Sequence, residues 1–129
     1  MATTTLADLP GRPCPIAAAM EVVGEKWALL VIREIALGAR RFGAIVAGTG
    51  APRDRIAARL KTLEAAGVIA RTAYQDHPPR DEYGLTASGR ALLPVLDALL
   101  TWGANHVVAA NDPLHLPRYR SFVRTEETL

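Results

Sequence analysis

The sequence predicts a mainly α chain with one small β-hairpin, an α+β fold class, and three observations carry that prediction. Apolar residues recur at i, i+3 and i+4 through several segments before residue 67. Two of those segments are separated only by Gly48, Thr49, Gly50 and Ala51, with Pro52 opening the second. Directly afterwards comes an alternating stretch, Val68 to Tyr74, which can return over the rigid Pro78-Pro79 corner as Glu82 to Leu85.

Taken in order, residues 1–13 are polar and predict a loose N-terminal segment, with order beginning at Cys14. Pro15 suits a first helical position, where its missing N–H is no loss. Ile16, Met20 and Val23 then repeat at helical spacing until Gly24 offers a stop. Trp27 to Leu37 is apolar almost all round, interrupted by Arg33 and Glu34, and reads as a central buried helix ending at Gly38. A short helix is expected over Phe42 to Ala47, followed by a tight turn at Gly48 to Gly50. Pro52 then opens a helix with Ile56, Leu60 and Leu63 on its inner stripe and Gly67 as its cap. Two helices joined by a short glycine-bearing turn form a helix-turn-helix, and the hairpin makes it a winged helix-turn-helix.

Thr86 can cap a last long helix, from about Ala87 to Val107, in which Leu92, Leu96, Leu99 and Trp102 or Gly103 keep the rhythm. Leu93, Val95 and Leu100 widen its apolar surface, so it is expected to pack both on its own domain and on a partner subunit. Pro94 should lie in its first turns or kink it. The domain expectation is therefore a flexible segment over 1–13, a winged helix-turn-helix with dimerisation helices over 14–107, and a tail over 108–129 with no assigned structure.

A chain of 129 residues, 50% apolar and 22% charged, suits one compact domain and excludes a disordered one. MATTTLADLPGRP holds no apolar signal core, and no segment offers 18 uncharged apolar residues, so the expectation is a cytoplasmic protein without membrane attachment. Its one cysteine, Cys14, agrees with a reducing compartment. The net charge of +2 conceals an asymmetry. Residues 39–61 hold Arg40, Arg41, Arg53, Arg55, Arg59 and Lys61 against Asp54, a local +5, which leaves −3 for the rest. That distribution points to a polyanionic partner.

At 100° per residue, an inner stripe of Ile56, Leu60 and Leu63 leaves Asp54, Arg55, Ala58, Lys61 and Thr62 facing outward, flanked by Arg53 and Arg59. A major groove about 12 Å wide admits one helix, and arginine grips guanine O6 and N7 together, which makes Arg55 the first choice for base readout. Asp54 can accept from a cytosine amino group, and Ala58 permits close approach or meets a thymine methyl. Arg40 and Arg41 precede the first helix of the pair, where phosphates would pass. About six neutralised phosphates per protomer would give a salt slope near −5. The hairpin, residues 68–85, sums to −1, with two arginines against three acids, so it is no general electrostatic anchor. Arg80, and with less support His77, can still enter a minor groove.

The segments CPIAAAMEVVGEKWALLVIREIALGARRF and RLKTLEAAGVIARTAYQDHPPRDEYGLTASGRALLPVLDALLTWG resemble the HxlR-type winged helix-turn-helix transcriptional regulators, relatives of the MarR group. The likeness spans Cys14 to about His106. It is carried by Cys14-Pro15, Gly24, Lys26-Trp27, Arg41-Phe42, Arg59-Leu60, Leu63-Glu64, Gly67, Pro78-Pro79-Arg80, Glu82-Tyr83, Leu85-Thr86, Gly89 and Trp102. It implies a homodimeric regulator of double-stranded DNA, with Pro52 to Ala66 as recognition helix and Val68 to Leu85 as wing. The terminal helices would join the protomers, with Ile16, Met20, Leu96, Leu99, Leu100 and Trp102 as dimerisation residues. Two departures, Pro52 before Arg53-Asp54 and Ala44 where an acid is frequent, bear on which operator is read.

Several members of that family use a cysteine near the place of Cys14 to sense oxidants or electrophiles. A thiol capping a helix, with Arg12 two residues away, also lies where negative charge is favoured, so Cys14 is a candidate redox sensor. An unidentified small-molecule effector is a second expected partner. Enzyme chemistry is disfavoured: His77, His106 and His115 lack metal-ligand spacing, and there is no phosphate-binding loop or nucleophile motif, so neither metal nor cofactor is expected. Trp102, Tyr74 and Tyr83 can help line a pocket near the dimer contact, but at this spacing they read as core. The alternative function is a winged-helix module for protein-protein assembly or for non-specific nucleic-acid binding.

Overall fold

A computed structural model of the chain describes residues 3–114 and Phe122. The chain divides into two compact units, Met1–Arg90 and Ala91–Leu129. The first contains a short 3-10 turn at Leu6–Asp8, helices α1 (Pro15–Val23), α2 (Ala28–Ala36), α3 (Phe42–Thr49) and α4 (Arg53–Ala65), strands β1 (Ile69–Gln75) and β2 (Arg80–Leu85), and the single turn α5 (Ala87–Arg90). Helix α6 (Leu93–His106) belongs to the second. Among the described residues no helix is long and apolar enough to cross a membrane.

Local chemistry explains each boundary. Cys14 caps α1, its Sγ accepting the Ala17 N–H at 3.4 Å, and Pro15 follows at the first helical position. The second helix begins one residue later than its apolar run, because Trp27 takes a left-handed conformation at φ 84°. The short helix runs on to Thr49, two residues past its expected end, and is stopped by Gly50 at φ 71°. There the Thr49 hydroxyl donates to the Val46 carbonyl at 3.1 Å and accepts the Ala51 N–H at 3.2 Å, closing the turn before α4. Arg33 fastens that turn to α2 by donating to the Gly48 carbonyl at 3.0 Å. A Cβ at Gly48 would meet the Glu34 carboxylate, so any larger residue there would have to displace that side chain.

The end of α4 is a Schellman motif. The Gly67 N–H donates to Glu64 and the Val68 N–H to Leu63, with Gly67 itself at φ 76°. This reversal launches β1 with Val68 and Ile69 pointing into the core. The hairpin pairs antiparallel from Ile69 opposite Leu85 to Gln75 opposite Arg80, with an irregularity between Ala73 and Gln75. Its return strand starts two residues earlier than alternation predicts. Helix α2 lies at the centre, packed against α3, α4 and β2. Val31, Ile32, Ile45, Ile56, Leu63 and Ile69 are fully buried around it.

Beyond the hairpin, Thr86 donates its hydroxyl to the Gly67 carbonyl at 2.6 Å, and the same oxygen accepts the Gly89 N–H at 3.2 Å. It thus caps a helix as expected, but a shorter one. The long helix read over Ala87 to Val107 is interrupted at Ala91 and Leu92, and α6 restarts with Pro94 in its first turn. A proline there has no N–H for the turn before it, so the break relieves a clash that a continuous helix would contain. Of the segment read as loose, the described residues 3–13 are exposed around their 3-10 turn, apart from the half-buried Leu9. His115 and most of the 108–129 tail lie outside the described residues.

Candidate nucleic-acid interface

The interface is built on α4. Ile56, Leu60 and Leu63 are buried in the core, and the same helix leaves Arg53, Asp54, Arg55 and Lys61 exposed. Ala58 and Thr62 are half-buried between them, and the Thr62 hydroxyl donates to the Ala58 carbonyl at 3.1 Å, which turns it back on its own helix. Arg59 differs most from the expectation of a flanking cation. Its side chain is only 18% exposed and its Nη1 lies 4.0 Å from the Glu25 carboxylate. Asp54, Arg55 and Lys61 are therefore exposed on the outward side, and Arg53 is exposed on its flank.

On one flank of α4, a cleft of about 590 Å³ opens between the start of α3 and the wing, lined by Arg41, Phe42, Arg53, Tyr74, Arg80 and Tyr83 among others. Its guanidiniums are stacked: Arg41 lies 4.1 Å over the Tyr74 ring and Arg53 4.8 Å over the Phe42 ring. Such cation–π contacts contribute about 0.5–1 kcal/mol at exposed sites and orient an arginine without consuming its N–H donors. Arg41 also approaches Glu82 at 3.6 Å, while Arg40 is exposed and gives only its carbonyl, to the Tyr83 N–H at 2.7 Å. That last bond joins the wing to the strand-like segment before α3.

The wing's acids are largely committed inward. Arg71 bridges Glu64 at the end of α4 and Asp81 on β2, at 3.2 and 3.5 Å. Glu82 faces Arg41. Burial raises the Tyr83 phenol above its ordinary pKa, opposed by Arg71 and assisted by Asp81 and Glu64, so it stays a neutral hydrogen-bonding group at neutral pH. Arg80 and His77 are exposed at the tip, beside Asp76. A net charge of −1 for the hairpin thus conceals a surface on which two of three carboxylates already face arginines.

The aromatic partners escaped the sequence reading. Tyr74, read as core, is exposed and carries Arg41, and Trp102, also read as core, is 58% exposed. Tyr83 alone of the three is partly buried. Phe42 directly follows Arg41 in sequence yet carries Arg53, a pairing no local pattern announces. Among the expected dimerisation residues, Ile16 (74%), Met20, Leu99 and Trp102 are exposed, Leu100 is half-buried, and Leu96 is already buried within the chain. Among the described residues no group of His, Cys, Asp or Glu could hold a metal ion.

The family model for HxlR-like helix-turn-helix proteins matches residues 22–111, a span that contains the turn, the arginine-bearing helix and the wing. The chain belongs to the HxlR-like helix-turn-helix family. It therefore carries a helix-turn-helix of the MarR-like kind, and the relatives it matches are named HTH-type transcriptional regulators. It is 39% identical over 95 residues to an uncharacterized HTH-type transcriptional regulator of Mycobacterium tuberculosis, covering 74% of this chain but only 60% of that relative. The HTH-type regulator YtcD of Bacillus subtilis is similar in sequence and in structure. Its crystal structure superposes with a TM-score of 0.68 at 35% identity, covering 73% of this chain and 97% of that one. The redox regulator HypR in its oxidized form superposes at 0.64 with 31% identity, covering 74% and 100%. The helix-turn-helix and wing of this HxlR-like chain are thus architecture shared with those structures.

Proposed function

We propose that the chain is a homodimeric, sequence-specific regulator that reads a two-fold symmetric duplex operator in the cytoplasm, with α4 in a major groove and the wing alongside. One observation carries this reading: α4 buries its apolar stripe while Arg55 and Lys61 are exposed away from it, with Arg53 exposed on the flank. Arg55 is the base reader, with Asp54 and Ala58 beside it. Arg40, Arg41 and Arg53 meet phosphates, and Arg80 with His77 follows the minor groove. Half-sites would lie one helical turn or a multiple apart.

Selection of bound duplexes from a random pool supplies the operator. On that duplex Arg55→Ala should cost about 1–3 kcal/mol, and less on random DNA. Equal losses on both would turn the reading into non-specific anchoring. Exposed Ile16 and Met20 on α1, and Leu99 and Trp102 on α6, support a second protomer, since water-facing apolar side chains of this size favour burial. A light-scattering mass of one chain at micromolar concentration would remove the two-half-site geometry. An effector would act by binding two arrangements of the recognition helices unequally.

Redox sensing is a second reading, favoured by the Cys14 thiol, whose sulfur already accepts a backbone N–H at the start of α1. A change in that sulfur's chemistry would reach the helix directly. Operator affinity that responds to an oxidant in the wild type, and equally in Cys14→Ser, would dismiss it.

A further inference from the structure

Trp27 is the only non-glycine residue with positive φ among the described residues, at φ 84° and ψ −19°. A bulky side chain is strained in that region, and such strain clusters at active sites, ligand clamps and switch regions. At this residue the turn between α1 and α2 faces the first half of α4. A second cleft results, of about 420 Å³, lined by Glu25, Lys26, Trp27, Pro52, Arg55 and Arg59. Lys26 is exposed, with its ammonium 4.7 Å over the Trp27 ring. Glu25 is engaged with Arg59 at 4.0 Å. Three cations against one carboxylate leave the cleft at +2, and its one acid already has a partner.

The position of this cleft gives it meaning. Around α4, Arg53 lies roughly 130° to one side of the outward direction, and Arg55 and Arg59 roughly 70° and 110° to the other. The first cleft contains Arg53, and the second contains Arg55 and Arg59. The two clefts therefore flank the reading face on opposite sides. A helix lying in a major groove has one sugar-phosphate strand on each side of it.

We infer that the cleft at the α1–α2 turn seats a backbone phosphate of the strand opposite the one met by Arg41 and Arg53, with Lys26 as the donor. This rests on the DNA-reading function proposed above and adds to it a second wall and a contact from outside the helix-turn-helix. Trp27 fixes the lysine stem and offers a flat apolar face to the adjoining deoxyribose. Arg59, held by Glu25, keeps the turn in place, and Arg55 on the lip remains free to reach bases.

The test compares wild type, Lys26→Gln, Lys26→Arg and Arg41→Gln on the duplex selected by the wild type, by salt titration and by ethylation interference. Lys26→Gln should reduce the slope of log K against log salt by about 0.9 per protomer. Raising salt from 50 to 200 mM then costs it about 3.5-fold less affinity per protomer than it costs wild type. It should weaken selected and random duplexes by the same factor. Ethylation at one phosphate per half-site should cease to interfere, on the strand opposite the phosphate that Arg41→Gln releases. Lys26→Arg should restore both slope and interference. A Lys26→Gln slope and interference pattern equal to wild type overturns the inference, and so does release on the same strand as Arg41→Gln. Failure of the wild type to bind any duplex instead overturns the proposed function itself.

Discussion

Helix α4 and the wing are neighbours that both carry charges of each sign, and they use them in opposite ways. Among the described residues, the exposed α4 cations Arg53, Arg55 and Lys61 have no carboxylate within ion-pair distance, whereas Arg59 is drawn in by Glu25. On the wing, Arg71 clamps Glu64 and Asp81, while Glu82 holds Arg41. An unpaired arginine keeps its donor fork for a ligand, whereas a paired one sets the attitude of the element that bears it. The difference teaches that charge count does not rank these elements as DNA contacts. Under the proposed function pairing does: α4 would read, and the wing is chiefly aligned.

The largest expected effect removes the ground on which both elements stand. Leu63 is fully buried under α4, next to the reversal that starts β1, and Leu63→Ala should lower stability by about 2–5 kcal/mol in denaturant unfolding. A loss under 1 kcal/mol would mean that helix and hairpin do not share one core. Next comes the contrast between the elements. Against the operator-selective loss expected of Arg55→Ala, Arg80→Ala should weaken all duplexes alike and reduce the salt slope by about 0.9 per protomer. A selective loss at Arg80 in competition binding would make the wing a reader too.

The smallest effect sharpens the idea of alignment. Arg71 is half exposed, so solvent screens both its ion pairs, and Arg71→Ala should cost only about 0–1 kcal/mol of stability. Yet hydrogen exchange of the hairpin amides should quicken while those of α4 stay unchanged. Equal acceleration in both would mean that Arg71 supports the core instead of the wing's attitude.

Most elements were legible in the sequence because their signals are local. Pro15 and Pro52 open helices, Gly50 and Gly67 close them, and the apolar spacing of Ile56, Leu60 and Leu63 assigns a buried side before any contact is known. The long last helix was misjudged for a related reason. Its rhythm survives Pro94, and only the backbone shows whether a proline begins a helix or bends one. At the interface the outward arginines of α4 were also legible, since helix geometry alone turns them away from the stripe.

The sequence by itself therefore determined the order of helices and hairpin and the identity of the face that looks outward, because periodicity and backbone restriction act within a few residues. Tertiary structure alone decided which charges remain available. Arg41 meets Glu82 and Tyr74, Arg71 meets Glu64, and Arg59 meets Glu25, all across separations that no local pattern encodes. It also decided that Trp27 must turn left-handed, so that Lys26 stands beside α4. Coulombic and stacking partners are chosen by distance in space, and that distance exists only once the core around α2 has closed.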